Sequence, residues 1–230
     1  MYHYEMHCHT WEVSKCGKTG GANQAEFYHK LGFDGIIVTD HFLNGNCLVP
    51  KTGPWKDRID LFLKGYRAAK KRGDELGIKV FLGWEASCHG TDFLTYGLGE
   101  DWLYAHEDCD IMPIREYCDM VRADGGIIVQ AHPFREASYI DMIRLMPRSC
   151  DGVEVLNARR TDFENERAEE YAANYELTRF CGSDNHSGMQ EKVAAMVLPE
   201  PANSVDEILD AIFAGKHKIE VIYPEMPAEK

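Results

Sequence analysis

The sequence predicts an α/β fold, a barrel of seven strands alternating with helices, and three observations carry that expectation. Short apolar runs alternate with helical patterns along the chain, as parallel-sheet proteins require. Five of the runs end in histidine, glutamate or aspartate, and barrels of this kind place reactive side chains at the carboxyl ends of several strands. No Gly-x-Gly-x-x-Gly follows the first run, which removes the usual dinucleotide site.

The first strand ends at His7 and His9, and Asn23 to Leu31 reads as a short helix stopped by Gly32. Gly35 to His41 is a continuous apolar run, as expected of a strand covered on both faces. After a Gly-, Asn- and Pro-rich loop up to Trp55, Ile59, Phe62, Leu63, Tyr66 and Ala69 recur at helical spacing until Gly77. Val80 to Glu85 is the third strand and Asp92 to Gly97 the fourth. The acidic segment from Gly99 to Asp110 reads as irregular. Pro113 opens a helix that ends at Gly125 and Gly126. Ile127 to His132 is the fifth strand, followed by a helix around Ile140 to Met146. Val153 to Asn157, a helix from Phe163 to Leu177, and a strand from Arg179 to Asp184 come next. Ser204 and Glu207 form a capping box for a last helix stopping at Gly215, and the tail 224–230 is expected to fray.

The 230 residues and 44% hydrophobic content suit one core, so residues 1–230 are expected to form a single domain. No stretch approaches the roughly 20 apolar residues that cross a bilayer, and the N-terminus lacks the pattern of a secretory signal, so the expected location is cytoplasmic. The eight cysteines include no Cys-x-x-Cys and read as reduced thiols, with Cys8, Cys88, Cys118 and Cys181 among apolar neighbours. A formal charge of −13 argues against binding long nucleic acid through its backbone. It does not oppose a small phosphorylated substrate, because bound divalent cations reverse the local field.

His7, His9, His41, Glu85, His132, Asp184 and His186 are nitrogen and oxygen donors, a set suited to zinc, manganese or iron. In an extended chain, residues i and i+2 point to one side, so His7 and His9 can face one ion. Glu85 is placed to bridge two ions, and an ion pair lowers the pKa of water toward about 7 and holds a hydroxide. Taken singly, each residue has an ordinary explanation: Glu85 as a cap, His132 before Pro133 as part of a turn. The joint pattern points to a metal centre.

These residues resemble the polymerase and histidinol phosphatase (PHP) family of metal-dependent phosphoesterases. The matching motifs are His7-Cys8-His9-Thr10, Thr39-Asp40-His41, Gly83-Trp84-Glu85, Gln130-Ala131-His132-Pro133-Phe134-Arg135 and Gly182-Ser183-Asp184-Asn185-His186. They come in the family's order and span residues 7 to 186. The resemblance implies a distorted TIM-like (β/α)7 barrel of PHP type with two or three divalent ions. It implies one ion on His7, His9, Glu85 and Asp184, a second shared by Glu85 and His132, and a third on His41 and His186.

Two positions depart from the family pattern. Ser14, followed by Lys15, stands where many members carry Asp or His, and Asp92, itself a competent ligand and expected as one, stands where many carry a His. Two neutral imidazoles alone hold a divalent ion weakly, so Glu12 is expected to turn back to the rim as the anionic ligand beside His41 and His186. Phosphate oxygens also need donors, and Arg135 and Arg159 or Arg160 are the candidates, since the arginine fork matches phosphate. Arg135 has the alternative of pairing with a neighbouring carboxylate.

The expected function is hydrolysis of a small phosphomonoester or short nucleotide, with Glu85, Asp184 and Arg135 as the catalytic set. Three alternatives stay open: a metal-dependent hydrolase of C–N or ester bonds, a protein-tyrosine phosphatase, and a non-catalytic metal-binding regulator.

Overall fold

In the computed structural model, which describes residues 1–225, the strands form two five-stranded sheets. The first sheet orders β10 (Lys218–Ile222), β9 (Val193–Leu198), β1 (Tyr2–Cys8), β2 (Gly35–Val38) and β3 (Lys79–Leu82). The second orders β4 (Trp84–Cys88), β5 (Thr91–Tyr96), β6 (Ile127–Ala131), β7 (Gly152–Asn157) and β8 (Thr178–Gly182). The α/β class expected from the sequence holds. The ladders form two sheets, not one continuous cylinder of seven parallel strands. β5 runs antiparallel to both its neighbours, and β9 runs antiparallel to β1 and β10. The strand expected at Asp92 thus returns from β4 in a hairpin turned at His89 and Gly90, both with positive φ. A hairpin and a crossover leave the same apolar run in the sequence, so the run alone does not give strand direction.

Alternation sets the layers. Ile37 of β2 joins Tyr4, Met6, Leu94, Val129 and Phe180 in an apolar cluster drawn from both sheets. Its neighbours Ile36 and Val38 point the other way, into a cluster with Ala25 of α1 (Gly21–Lys30) and Ala69 of α3 (Lys64–Leu76). The long helix expected after Trp55 is two, α2 (Trp55–Phe62) and α3, joined at Leu63. On the second sheet, α4 (Glu100–Ala105), α5 (Ile114–Ala123) and α6 (Asp162–Tyr175) contribute Leu103, Tyr117 and Tyr171 to a third cluster with Trp84 and Val153. The segment from Gly99, read as irregular, therefore carries α4 and a single 3₁₀ turn at Cys109–Ile111. Ser204 caps α7 (Val205–Phe213) by accepting from Glu207 N, but the expected capping box is only half formed, because the Glu207 carboxylate accepts from Asn203 N at 2.6 Å.

The helix expected at Ile140 to Met146 does not form. Gln130 of β6 takes its backbone groups instead: Nε2 donates to the Arg144 carbonyl at 2.6 Å, and Met146 N donates to Oε1 at 3.1 Å. Of the tail expected to fray, residues 226–230 lie outside the described residues. Among the described residues no helix is long and apolar enough to cross a membrane, and all eight cysteines are free.

Two isolated parallel bridges join the sheets, Cys8 with Asn185 and His41 with Glu85. Both lie where the sequence ends its strands in ligand-type side chains. β3 and β4 are one chain kinked at Gly83, whose N–H donates to the Val38 carbonyl at 3.0 Å. The strand ends of both sheets are thereby drawn to one place.

Candidate metal centre

His7 is the penultimate residue of β1, Glu85 lies in β4, and His9, His41, His132, Asp184 and His186 sit just past the ends of β1, β2, β6 and β8. All seven converge. Three groups of donor atoms lie within 4.8 Å of one another: His7, His9 and Asp184; His7, Glu85 and His132; His9, His41 and His186. His7 Nε2 is 3.1 Å from His9 Nε2, and Asp184 Oδ1 is 3.8 and 3.4 Å from those two nitrogens. Glu85 reaches His132 Nε2 at 3.2 Å, His7 Nε2 at 3.5 Å and His9 Nε2 at 3.7 Å.

The surrounding hydrogen bonds fix which ring nitrogens face inward. Buried Glu154 accepts from His7 Nδ1 at 2.9 Å. Ser14 Oγ donates to Asp40 at 2.7 Å, so its lone pairs accept, from His9 Nδ1 at 3.2 Å and from His41 N at 3.0 Å. With Nδ1 protonated, His9 presents a bare lone pair at Nε2 toward His7 Nε2. Two imidazole nitrogens at this distance need a proton or a cation between them. Both oxygens of Glu85 and Nδ1 of His41 are buried without a hydrogen-bond partner, although they approach to 2.6 Å, because they are not aligned to bond. Buried polar groups are nearly always satisfied, so a carboxylate left bare among imidazoles marks a binding function. This donor set fits divalent cations.

The electrostatics agree. Burial raises the Glu85 carboxyl, but His41, His132 and His7 outweigh it and hold it well below its ordinary range. Asp184 is likewise held down against burial by His7, His9 and His186. Burial together with His186 and His41 lowers His9, which keeps it neutral and able to ligate.

Sequence reasoning did not single out the scaffold. Glu154 also accepts from His132 N at 2.9 Å, joining two ligand-bearing loops. Glu5 accepts from His7 N at 2.7 Å and Ser183 N at 2.8 Å, and burial pushes its carboxyl up to about 7. Gln24 donates to the carbonyls of His9 and Asn185 at 2.8 and 2.9 Å. Buried Glu at the interior of β1 and β7 was the available signal. His132 (φ 26°) and Asp184 (φ 52°) occupy the left-handed region, a strained backbone that clusters at functional sites.

A cleft of about 640 Å³ opens on the cluster, lined by His41, Glu85, Asp184 and His186, and by Arg135, Arg159 and Arg160 on its rim. Arg135 Nη2 donates to Asp92 Oδ2 at 2.9 Å, and Ser87 Oγ donates to Asp92 Oδ1 at 2.5 Å. Asp92, expected as a ligand, is outside all three donor groups because both oxygens are taken. Arg159 contacts His186 Nδ1, and Arg160 lies 3.8 Å from Glu164.

Glu12 corrects another expectation. Its carboxylate accepts from Gly21 N at 3.1 and 3.2 Å, where the unpaired N–H at the start of α1 attracts an anion. The side chain that reaches His41 is Cys16, which the sequence reading passed over: Sγ lies 3.1 Å from His41 Nε2. Burial raises the Cys16 thiol, but hydrogen bonds with His186 and His41 outweigh it and bring it down to about 6.

A family model described as PHP-associated matches residues 162–217, a segment that includes Asp184 and His186. Several solved structures share the fold. A two-domain protein from Bacteroides vulgatus, containing a predicted PHP-like metal-dependent phosphoesterase, matches 95% of this chain at 16% identity and a TM-score of 0.67. This chain spans only 64% of that protein. PsfC from Pseudomonas syringae matches at 16% identity and TM-score 0.62, over 97% of this chain and 91% of its own. An amidohydrolase from Chromobacterium violaceum, solved with bound sulfate and no metal, matches at 13% and 0.58, over 96% and 98%. No curated protein matches the chain. At these identities the likeness to the solved structures is one of fold.

Proposed function

We propose that this PHP-family chain is a metal-dependent phosphoesterase acting on a small phosphomonoester or short nucleotide. The observation that carries the reading is the bare, fully buried Glu85 carboxylate among His7, His41 and His132. On this reading the two sheets and their joining bridges make up a distorted (β/α)7 barrel, and the chain is one metallohydrolase domain. His7, His9, Glu85 and Asp184 would hold one ion, Glu85 and His132 a second, and His41 with His186 a third.

Divalent ions held there supply Lewis-acid charge to phosphate oxygens and lower the pKa of a water toward about 7. The protein's own residues supply the rest. Glu154 and Ser14 fix the tautomers of His7 and His9, so each Nε2 faces inward. Asp184 and Glu85 stay ionised at neutral pH, which balances the positive charge gathered in the cleft. Arg135 and Arg159 on the rim would receive the non-bridging phosphate oxygens.

A second reading, hydrolysis of a C–N or ester bond, draws support from the amidohydrolase neighbour and from the Arg135–Asp92 pair, which neutralises one of the phosphate donors. A substrate panel separates the two. The chain loaded with manganese or zinc is assayed on phosphomonoesters, a phosphotyrosyl peptide, dinucleotides, amides and lactones. Turnover confined to small phosphate esters and abolished in Glu85→Ala supports the proposal. Turnover of amides or lactones alone replaces it with the second reading.

A further inference from the structure

Around His41 and His186 the acid expected from Glu12 is missing, and the carboxylates nearby, Glu85 at 2.6 Å from His41 Nδ1 and Asp184 at 3.4 Å from His186 Nδ1, are those assigned to the neighbouring ions. His9, His41 and His186 bring only ring nitrogens within 4.8 Å of one another. The Arg159 guanidinium lies against His186, which adds positive charge beside them. Glu12 is spent on the start of α1. A divalent ion there that leaves Glu85 and Asp184 to the neighbouring ions takes its anionic donor from elsewhere.

Cys16 is that donor by position. It follows the loop leaving β1, half-buried on the cleft that His41 and His186 line. Its sulfur is 3.1 Å from His41 Nε2, on the cleft that His186 also lines. Ligand atoms at about 2.3 Å (sulfur) and 2.0 Å (nitrogen) from a tetrahedral ion stand roughly 3.5 Å apart, so the Cys16–His41 pair needs only a small adjustment, while Cys16, outside the three donor groups, has to turn further to share an ion with His186. Ser14 is bonded to Asp40, His9 and the His41 backbone, and cannot turn to this site without breaking them.

We propose that Cys16 is the thiolate ligand of an ion held with His41 and His186, which gives that site a softer donor set than the rest of the centre. This inference rests on the metal-centre reading above. Thiolate and imidazole donors suit zinc, whereas carboxylate, carbonyl and water donors suit manganese. Zinc or ferrous iron is therefore the resident ion at this position even when manganese occupies the neighbouring sites. Binding releases the thiol proton to solvent as the sulfur–metal bond forms.

X-ray absorption on the full chain loaded with zinc, together with the charge-transfer spectrum of the cobalt(II)-loaded chain, tests the proposal. The expected result is a metal–sulfur shell at about 2.3 Å and a thiolate-to-cobalt band in the near ultraviolet. Both disappear in Cys16→Ser and persist in Cys88→Ser. Cys16→Ser should weaken one zinc per chain by at least about 100-fold, since losing an outer partner of a ligand alone costs 10- to 100-fold. Cys16→Asp should keep the ion and shift its preference toward manganese. A full complement of ions without a sulfur shell, or a shell that survives in Cys16→Ser, overturns the cysteine assignment and leaves the centre standing. A wild-type chain that takes up no ions overturns both.

Discussion

Glu154 Oε1 lies 2.9 Å from Nδ1 of His7, two side chains 147 residues apart, both fully buried. The bond aims the other nitrogen of His7 at Asp184 and Glu85, and the second oxygen of Glu154 holds the backbone of His132. One carboxylate therefore orients donors at the ends of β1 and β6.

Glu154→Gln keeps the shape and removes the charge. Outer partners of this kind are worth 10- to 100-fold in metal affinity, so ion binding should weaken by about that factor with the fold retained. Competition against a chelator of known affinity, beside a circular dichroism spectrum, measures it. Unchanged affinity would make Glu154 a packing residue only.

Gly182 is the second such constraint. A Cβ there would press on His7 Cβ and stand 2.7 Å from Glu154 Oε1. Gly182→Ala should destabilise by about 1–3 kcal/mol, the usual cost of overpacking, and should lose ions more readily than wild type. Denaturation with and without zinc separates the effects; a variant with native stability and native affinity would show that β8 moves freely against β1.

The donors of the centre were legible in the sequence because each stands at the end of an apolar run, where alternation gives its direction. Three features were not. Strand direction depends on a turn, so β5 read as parallel although it pairs antiparallel with β4. The Ile140–Met146 helix lost to Gln130, a partner 14 to 16 residues away. Glu12 and Cys16 leave the same loop, and charge alone favoured the carboxylate. The start of α1, which captures Glu12, lies at Gly21, two residues before the Asn23 read from the sequence.

Arg135 is the residue that ties the phosphate reading to the rim. Arg135→Ala should cost a phosphate substrate about 1.5–3 kcal/mol in kcat/KM, the range for a hydrogen bond to a charged group. Steady-state kinetics on the best ester from the panel decides it. An unchanged kcat/KM would leave Arg135 as the partner of Asp92 alone.

A pH prediction concerns Glu164, remote from the donors. Burial raises its carboxyl, but the backbone N–H groups of Thr161 and Glu136 outweigh it and hold it below the ordinary 4.5. The unfolded chain then binds the proton more tightly, so the contribution is full above pH 4.5 and is lost as pH falls through the folded value. Glu164→Gln should therefore be less stable than wild type at pH 7, by about 0.3–1 kcal/mol, the size of a charge at a helix N-terminus, and the gap should be smaller at pH 3. Urea denaturation of both at the two pH values reads the difference. A gap as large at pH 3 as at pH 7 would mean that the charge of Glu164 does not stabilise the start of α6.

The metal content of the purified chain tests the account most directly. After equilibration with zinc, manganese and iron(II) and removal of free ions, elemental analysis should find at least two divalent ions per chain. In Glu85→Ala the count should fall. Fewer than one ion per wild-type chain would contradict a metal centre built on Glu85 and the four imidazoles around it.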